Sequence, residues 1–357
     1  MNTEYKKIME GLVDVVIKEN GSDIHLSEGR HPMIRVAGSL IPLAKQKELS
    51  REDTAGILNF LINDESKAIF ADKKQVDFAY QPSNTTSRFR GNAYIQQGSV
   101  SIALRLISDH IRTVEELGLP PALTTFARKQ QGFFLVVGPT GQGKSTTLAA
   151  LIDLINEERL EHIITIEDPI EYLFKPKKSI IDQREVRTDT PDFHTALWGT
   201  FRQDVDVVMI GEMRQPETMA TAVTAAETGH LVFSTLHTNS ASQTIERIID
   251  SFPSAQQNQI RMQLAGSLAG IFSQRLVPRV SGGLVPAYEL LINNTAVSNV
   301  IRDKRTHEID TIIETGSAEG MIDLNRCLVD LVRNGEITIE NAYKYSNNVK
   351  TLERIIG

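Results

Sequence analysis

The sequence predicts an α/β protein in which a parallel sheet carries helices on both faces and a smaller α+β domain precedes it. Three observations carry that reading. From residue 133 onward, short continuous apolar runs alternate with helical stretches, the pattern of strands buried on both sides. Before residue 107, amphipathic helical stripes mix with brief extended runs instead. At 357 residues the chain is long enough for two domains of roughly 100–200 residues each.

The elements follow in order. Tyr5, Ile8, Met9, Leu12, Val13 and Val16 form a helical stripe, with Gly21 expected to supply the left-handed stop near Asn20. Extended runs are predicted at 23–27, 33–36, 76–80, 88–95 and 100–106, with one helix near 51–70. This gives an α+β domain over 1–107. Residues 108–121 include Pro120 and Pro121 and read as a linker that runs into a short helix. The second domain, 122–357, carries predicted strands at 133–137, 162–166, 207–210 and 231–236. Ligands of such a sheet belong beyond the carboxyl ends of its strands. From about Pro253 the chain is expected to be helical, over 256–272, 295–302, 323–334 and 339–345.

Composition sets limits on function. Apolar residues are 41% and charged residues 23%, ordinary globular proportions. A net charge of -7 weighs against nucleic acid as the main partner, because neutralising phosphates requires a basic surface. The single Cys327 can form neither an intrachain disulfide nor a cysteine-rich zinc site, and reads as a small apolar helix residue. No apolar stretch approaches the ~18 residues of a membrane span, and the N-terminus lacks a signal-peptide pattern. A cytoplasmic location is expected, with any membrane association made through a partner.

The chemistry-bearing residues cluster in the second domain. Gly138, Pro139, Thr140, Gly141, Gln142, Gly143, Lys144 and Ser145 fit G-x-x-x-x-G-K-[ST], between an apolar run and a helix-forming run that starts at Thr146. Glycines let successive N–H groups and the helix N-terminus wrap phosphates. Lys144 is expected to reach the β/γ-phosphates of ATP, and the Ser145 hydroxyl to bind Mg²⁺. Two acidic clusters end later strands, at Glu167-Asp168-Pro169-Ile170-Glu171 and Gly211-Glu212-Met213-Arg214. Glu212 is the choice for the water-activating base, and Glu167 the supporting carboxylate on metal or water. Helix capping is the structural alternative for both. His230 and His237 flank the run 231–236 at opposite ends, so they are not a helical two-histidine zinc pair. His237, at the carboxyl end, is placed to meet phosphate or a catalytic carboxylate.

Together these motifs resemble the secretion ATPases of type II secretion and type IV pili, most closely their pilus-retraction branch. The segment 138–145 resembles the family's Walker A, 166–172 its Asp box, 210–214 its Walker B and 228–241 its His box. The likeness extends to Gly21-Ser22-Asp23-Ile24-His25-Leu26-Ser27, to 182–186 and to 316–331, and so covers nearly the whole chain. It implies a PAS-like first domain, a RecA-like motor domain and a homohexameric ring with nucleotide at the domain junction. It further implies an inner-membrane pilus platform protein as partner and the possibility of a related sister ATPase. Arg90 and Arg105 resemble arginines that swing onto the nucleotide. Departures are Val205 for a proline, Gln215 for an aspartate, Trp198 for an arginine, and Ser298 for the first arginine of a C-terminal retraction motif.

Retraction is preferred over pilus assembly or type II secretion because the extra N-terminal domain and four-cysteine zinc site of assembly ATPases are missing from the sequence. A nucleic-acid motor is the reading from a different class, and acidic composition weighs against it. A silent ATP-binding partner of a sister motor is a third, and it conflicts with intact Lys144 and Glu212.

Overall fold

The computed structural model describes residues 2–36, 38–85, 87–107 and 110–356. Ser108 and Asp109, the first residues of the predicted linker, lie outside them. The chain divides into two compact units, Met1–His110 with Glu171–Leu173, and Ile111–Ile170 with Phe174–Gly357.

The first unit opens with α1 (Asn2–Lys18), whose Met9, Leu12, Val13 and Val16 enter its core. The helix stops at Asn20, which takes the left-handed conformation at φ 51°; Gly21 instead begins β1 (Gly21–Ser27). A short polar side chain tolerates that region, so the stop sits one residue earlier than expected. Strands β2 (Met33–Val36) and β3 (Ser39–Pro42) follow. The single helix expected near 51–70 is two, α2 (Arg51–Leu61) and α3 (Asp64–Lys73). Asn63 breaks it by accepting the Ser66 N–H as an N-cap, while Ser50 and Asp53 form a capping box on α2. With β4 (Gln75–Tyr80), β5 (Arg88–Gln96) and β6 (Ser99–Ile107), the strands make an antiparallel sheet in the order β3-β2-β1-β6-β5-β4.

The second unit begins with the short helix α4 (Thr124–Ala127), then β7 (Gly132–Val137), α5 (Lys144–Glu158), β8 (His162–Glu167) and β9 (Ile180–Glu185). Next come α6 (Phe193–Thr200), β10 (Val207–Ile210), α7 (Pro216–Glu227), β11 (Leu231–Leu236), α8 (Ala241–Asp250) and α9 (Ser254–Ser267). The expectation of continuous helix to residue 272 fails here. Leu268–Pro278 is strand β12 and Leu284–Ile292 is β13, an antiparallel pair. Helices α10 (Thr295–Arg302), α11 (Ile309–Thr315), α12 (Leu324–Arg333), α13 (Ile339–Tyr345) and α14 (Val349–Ile356) complete the unit.

The sheet order is β13-β12-β7-β11-β10-β8-β9, parallel throughout except for the edge strand β13. Alternation along β7 shows how both faces are buried. Phe133, Leu135 and Val137 join one apolar core, and Phe134 and Val136 join the other. Cys327 lies in a third cluster with Leu324, Leu328 and Leu352, where burial pushes its thiol up to about 12 and leaves it unreactive.

Candidate functional site

The sheet register assembles the site. Val137 of β7 lies beside Leu236 of β11, and Ile210 of β10 beside Ile166 of β8, so four parallel strands end along one edge. The glycine loop, Glu167, Glu212 and His237 leave that edge together. His230 precedes β11 at the opposite edge. Its Nδ1 lies 3.0 Å from the Ala225 carbonyl, and its ring packs edge-on against Phe201 at 5.5 Å. Within this chain His230 is therefore separated from the other candidates by the length of a strand.

The loop from Gly138 to Gly143 ends in α5, whose first residues are Lys144, Ser145 and Thr146. Gly138 has φ 149°, and a Cβ there would lie 2.5 Å from the Gln274 carbonyl oxygen, so only glycine fits. Gln142 accepts the Leu276 N–H at 2.7 Å, and the buried Thr147 hydroxyl donates to Gln274 at 2.7 Å. Strand β12 thus props the loop from one side. The buried Lys144 ammonium donates to the carbonyls of Gly138 and Pro139, each at 2.9 Å, and lies 3.4 Å from His237 Nδ1. Left-handed glycines, an open helix N-terminus and an ammonium are the donor set that fits a phosphate chain. Ser145, half-buried on the first turn, is the hydroxyl placed to hold a metal that accompanies the phosphates.

His237 continues the line from Lys144 to Glu212. An ammonium can only donate, so Nδ1 acts as acceptor and Nε2 carries the ring proton, 3.6 Å from Glu212 Oε2. The other oxygen of Glu212 is held by Arg214 at 2.7 Å. Glu212 is one-fifth exposed, enough to meet a water molecule while Arg214 orients one of its oxygens. Glu167 is buried at the end of β8, where it accepts the Thr165 hydroxyl at 2.7 Å. Gly211, just before Glu212, packs against the end of β8: a Cβ there would make ordinary van der Waals contact with the Glu167 Cγ at 3.7 Å.

Sequence reasoning missed the support from β12. Arg275 is buried and donates to the Gln274 carbonyl and to both the main-chain and side-chain oxygens of Asn239, each at 3.0 Å. It fixes the loop that carries His237 against the strand that props the glycine loop. The available signal was Gly270, since a glycine inside a strand marks close backbone approach; a Cβ there would meet the Leu291 oxygen at 2.6 Å.

Arg90 and Arg105 belong to the first unit, as direct cross-strand partners on β5 and β6. Both are exposed. Among the four departures, Val205 is buried in the core, Gln215 stands before α7 without a side-chain cap, and Trp198 is 54% exposed. Ser298 donates to the Ala265 carbonyl at 2.9 Å and so ties α10 to α9.

A glycine loop between a parallel strand and a helix N-terminus, with a carboxylate ending the second strand along, defines a RecA-like P-loop nucleoside triphosphatase. The model of the type II/IV secretion system protein family matches residues 3–283. The chain belongs to that family and is an ATPase of it. It is 41% identical to the type IV pilus retraction ATPase PilT of Pseudomonas aeruginosa, over 91% of this chain and 94% of that protein. It is 39% identical to the type IV pilus ATPase PilU of the same species, over 97% of this chain and 91% of that one. A crystal structure of the pilus retraction motor PilT with bound ADP superposes with TM-score 0.89 at 43% identity, covering 96% of this chain and 98% of the other. Among the described residues no helix is long and apolar enough to cross a membrane.

Proposed function

We propose that this chain is the retraction motor of a type IV pilus, working as a homohexamer that hydrolyses Mg-ATP and acts on an inner-membrane platform protein from the cytoplasmic side. The similarity to PilT over nearly the whole length supports retraction, and the likeness to PilU supports a sister ATPase in the same machine. The observation that carries the catalytic reading is the line Lys144–His237–Glu212, with Arg214 holding the far oxygen of the carboxylate.

In this reading residues 138–146 bind the triphosphate through main-chain N–H groups, and Lys144 turns from the loop carbonyls to the β/γ-phosphates. Glu212 accepts a proton from the attacking water, and His237 reports the γ-phosphate to it. Magnesium bound with the nucleotide supplies charge neutralisation, with Ser145 as its ligand and Glu167 behind it, direct or through water. Arg90 and Arg105 add positive charge to the transferring phosphoryl group when the ring closes.

The test is deletion of the gene with complementation. Hyperpiliated, non-retracting cells rescued by wild type but not by Lys144→Ala are expected. Bald cells would make this an assembly motor. Purified protein that binds ATP without releasing phosphate would make it a silent partner of a sister motor.

A further inference from the structure

In the first unit the sheet buries Ile24, Leu26, Ile34, Phe89 and Leu104 against its helices, so the alternate residues point to the other face. The register sets four charged side chains in a lateral row there. Arg35 on β2 is opposite Asp23 on β1, Asp23 is opposite Arg105 on β6, and Arg105 is opposite Arg90 on β5. One carboxylate therefore stands among three guanidinium groups.

Its contacts are asymmetric. Asp23 Oδ1 accepts Arg105 Nε–H at 2.9 Å, its Oδ2 accepts the Ser22 hydroxyl at 2.6 Å, and Arg35 Nε stays 3.8 Å away. Asp23 is buried, whereas the Arg105 side chain is 72% exposed. Burial alone would pull the carboxyl up, but the Ser22 and Arg105 hydrogen bonds and the Arg105 charge outweigh it and hold it below the ordinary carboxylate range. Asp23 is thus a fixed, ionised anchor. It holds the Nε corner of the guanidinium. Among the described residues, neither terminal nitrogen of Arg105 makes a hydrogen bond, so the two-nitrogen edge that matches phosphate oxygens is left for a ligand.

We propose that Asp23 is the positioning residue of Arg105, orienting the guanidinium so that its terminal nitrogens meet the transferring phosphoryl group. This rests on the reading of Arg105 as a nucleotide-contacting arginine. A long side chain with four rotatable bonds reaches a phosphate from many geometries, few of them productive. An anchor at Nε removes most of the others before the nucleotide arrives.

The test is steady-state ATP hydrolysis by the intact oligomer, with melting curves to show that each variant is folded. Arg105→Ala is expected to lower kcat at least ~10²-fold, and Asp23→Ala ~10-fold with KM within about threefold of wild type. Asp23→Asn, whose amide oxygen still accepts Nε–H, falls between Asp23→Ala and wild type. The double variant Asp23→Ala/Arg105→Ala is expected to match Arg105→Ala alone, an outcome that a general structural role for Asp23 would not give. Arg35→Ala, too distant for a hydrogen bond to Asp23, stays within about threefold of wild type. Additive losses in the double variant, or a faster enzyme on removal of Asp23, would overturn the proposal while leaving Arg105 in its role. Wild-type kinetics in Arg105→Ala would overturn the nucleotide reading itself.

Discussion

Replacing Glu289 by glutamine is expected to stabilise the protein above pH 7 and to change little near pH 4.5. Glu289 lies on β13, buried beside a cavity of about 310 Å³, and accepts the Ala241 N–H that opens α8 at 2.7 Å. Burial pushes its carboxyl from 4.5 up to about 7; the Ala241 N–H and the charge of Arg275 on β12 pull it back only in part. Asp310 on α11 and Asp323 ahead of α12 push it further up, and Glu314 lines the same cavity. A helix N-terminus favours a carboxylate by up to ~2 kcal/mol, so burial with like charges is the larger effect here. Between pH 4.5 and about 7 the folded state keeps a proton that the unfolded chain releases, so stability falls as pH rises through that window. A shift from 4.5 to about 7 corresponds to about 3 kcal/mol. Glu289→Gln keeps an acceptor for Ala241 and removes the titration. Denaturant unfolding at pH 8 should show the variant more stable by up to about 3 kcal/mol, with that gain gone at pH 4.5. A variant equally stable, or less stable, at pH 8, or a gain of the same size at both pH values, would refute this reasoning.

Two further outcomes follow from the loop geometry. Gly138→Ala must place a Cβ 2.5 Å from a backbone oxygen at φ 149°, whereas Gly141→Ala meets no atom within 4 Å at φ 77°. Nucleotide-free melting should show losses of at least ~3 kcal/mol for the first and about 1 kcal/mol for the second; equal losses would mean that β12 does not constrain the loop. His237→Ala should keep ATP affinity within about threefold and lower turnover ~10-fold, because it breaks the link from Lys144 to Glu212 without removing either. Turnover unchanged in that variant would remove His237 from the site.

Much of the architecture was legible because parallel strands buried on both faces must be written as continuous apolar runs. The runs at 133–137, 162–166, 207–210 and 231–236 are the strands that carry the site, and strand order puts their carboxyl ends on one edge. β12 was not legible. Its small residues Ala269 and Gly270 follow α9 without a break signal, and helical and extended readings of such a run are equally good until the close packing of Gly270 against Leu291 and Phe126 is known. Missing β12 also hid Gln274 and Arg275, whose roles lie in contacts with residues 127 and 36 positions earlier in the chain. The split of the helix near residue 62 turns on Asn63 serving as a cap, which propensity alone does not decide. His230 and His237 differ only in which end of β11 they occupy, and register alone separates them.

The most direct test of the catalytic reading is Glu212→Gln, assayed for Mg-ATP binding and for phosphate release. The amide keeps the shape of the side chain and loses the ability to take a proton. Binding within about threefold of wild type with turnover reduced at least ~10²-fold is the expected result. Turnover at the wild-type rate would show that another group activates the water, and the line from Lys144 through His237 to Glu212 would then have no part in the chemistry.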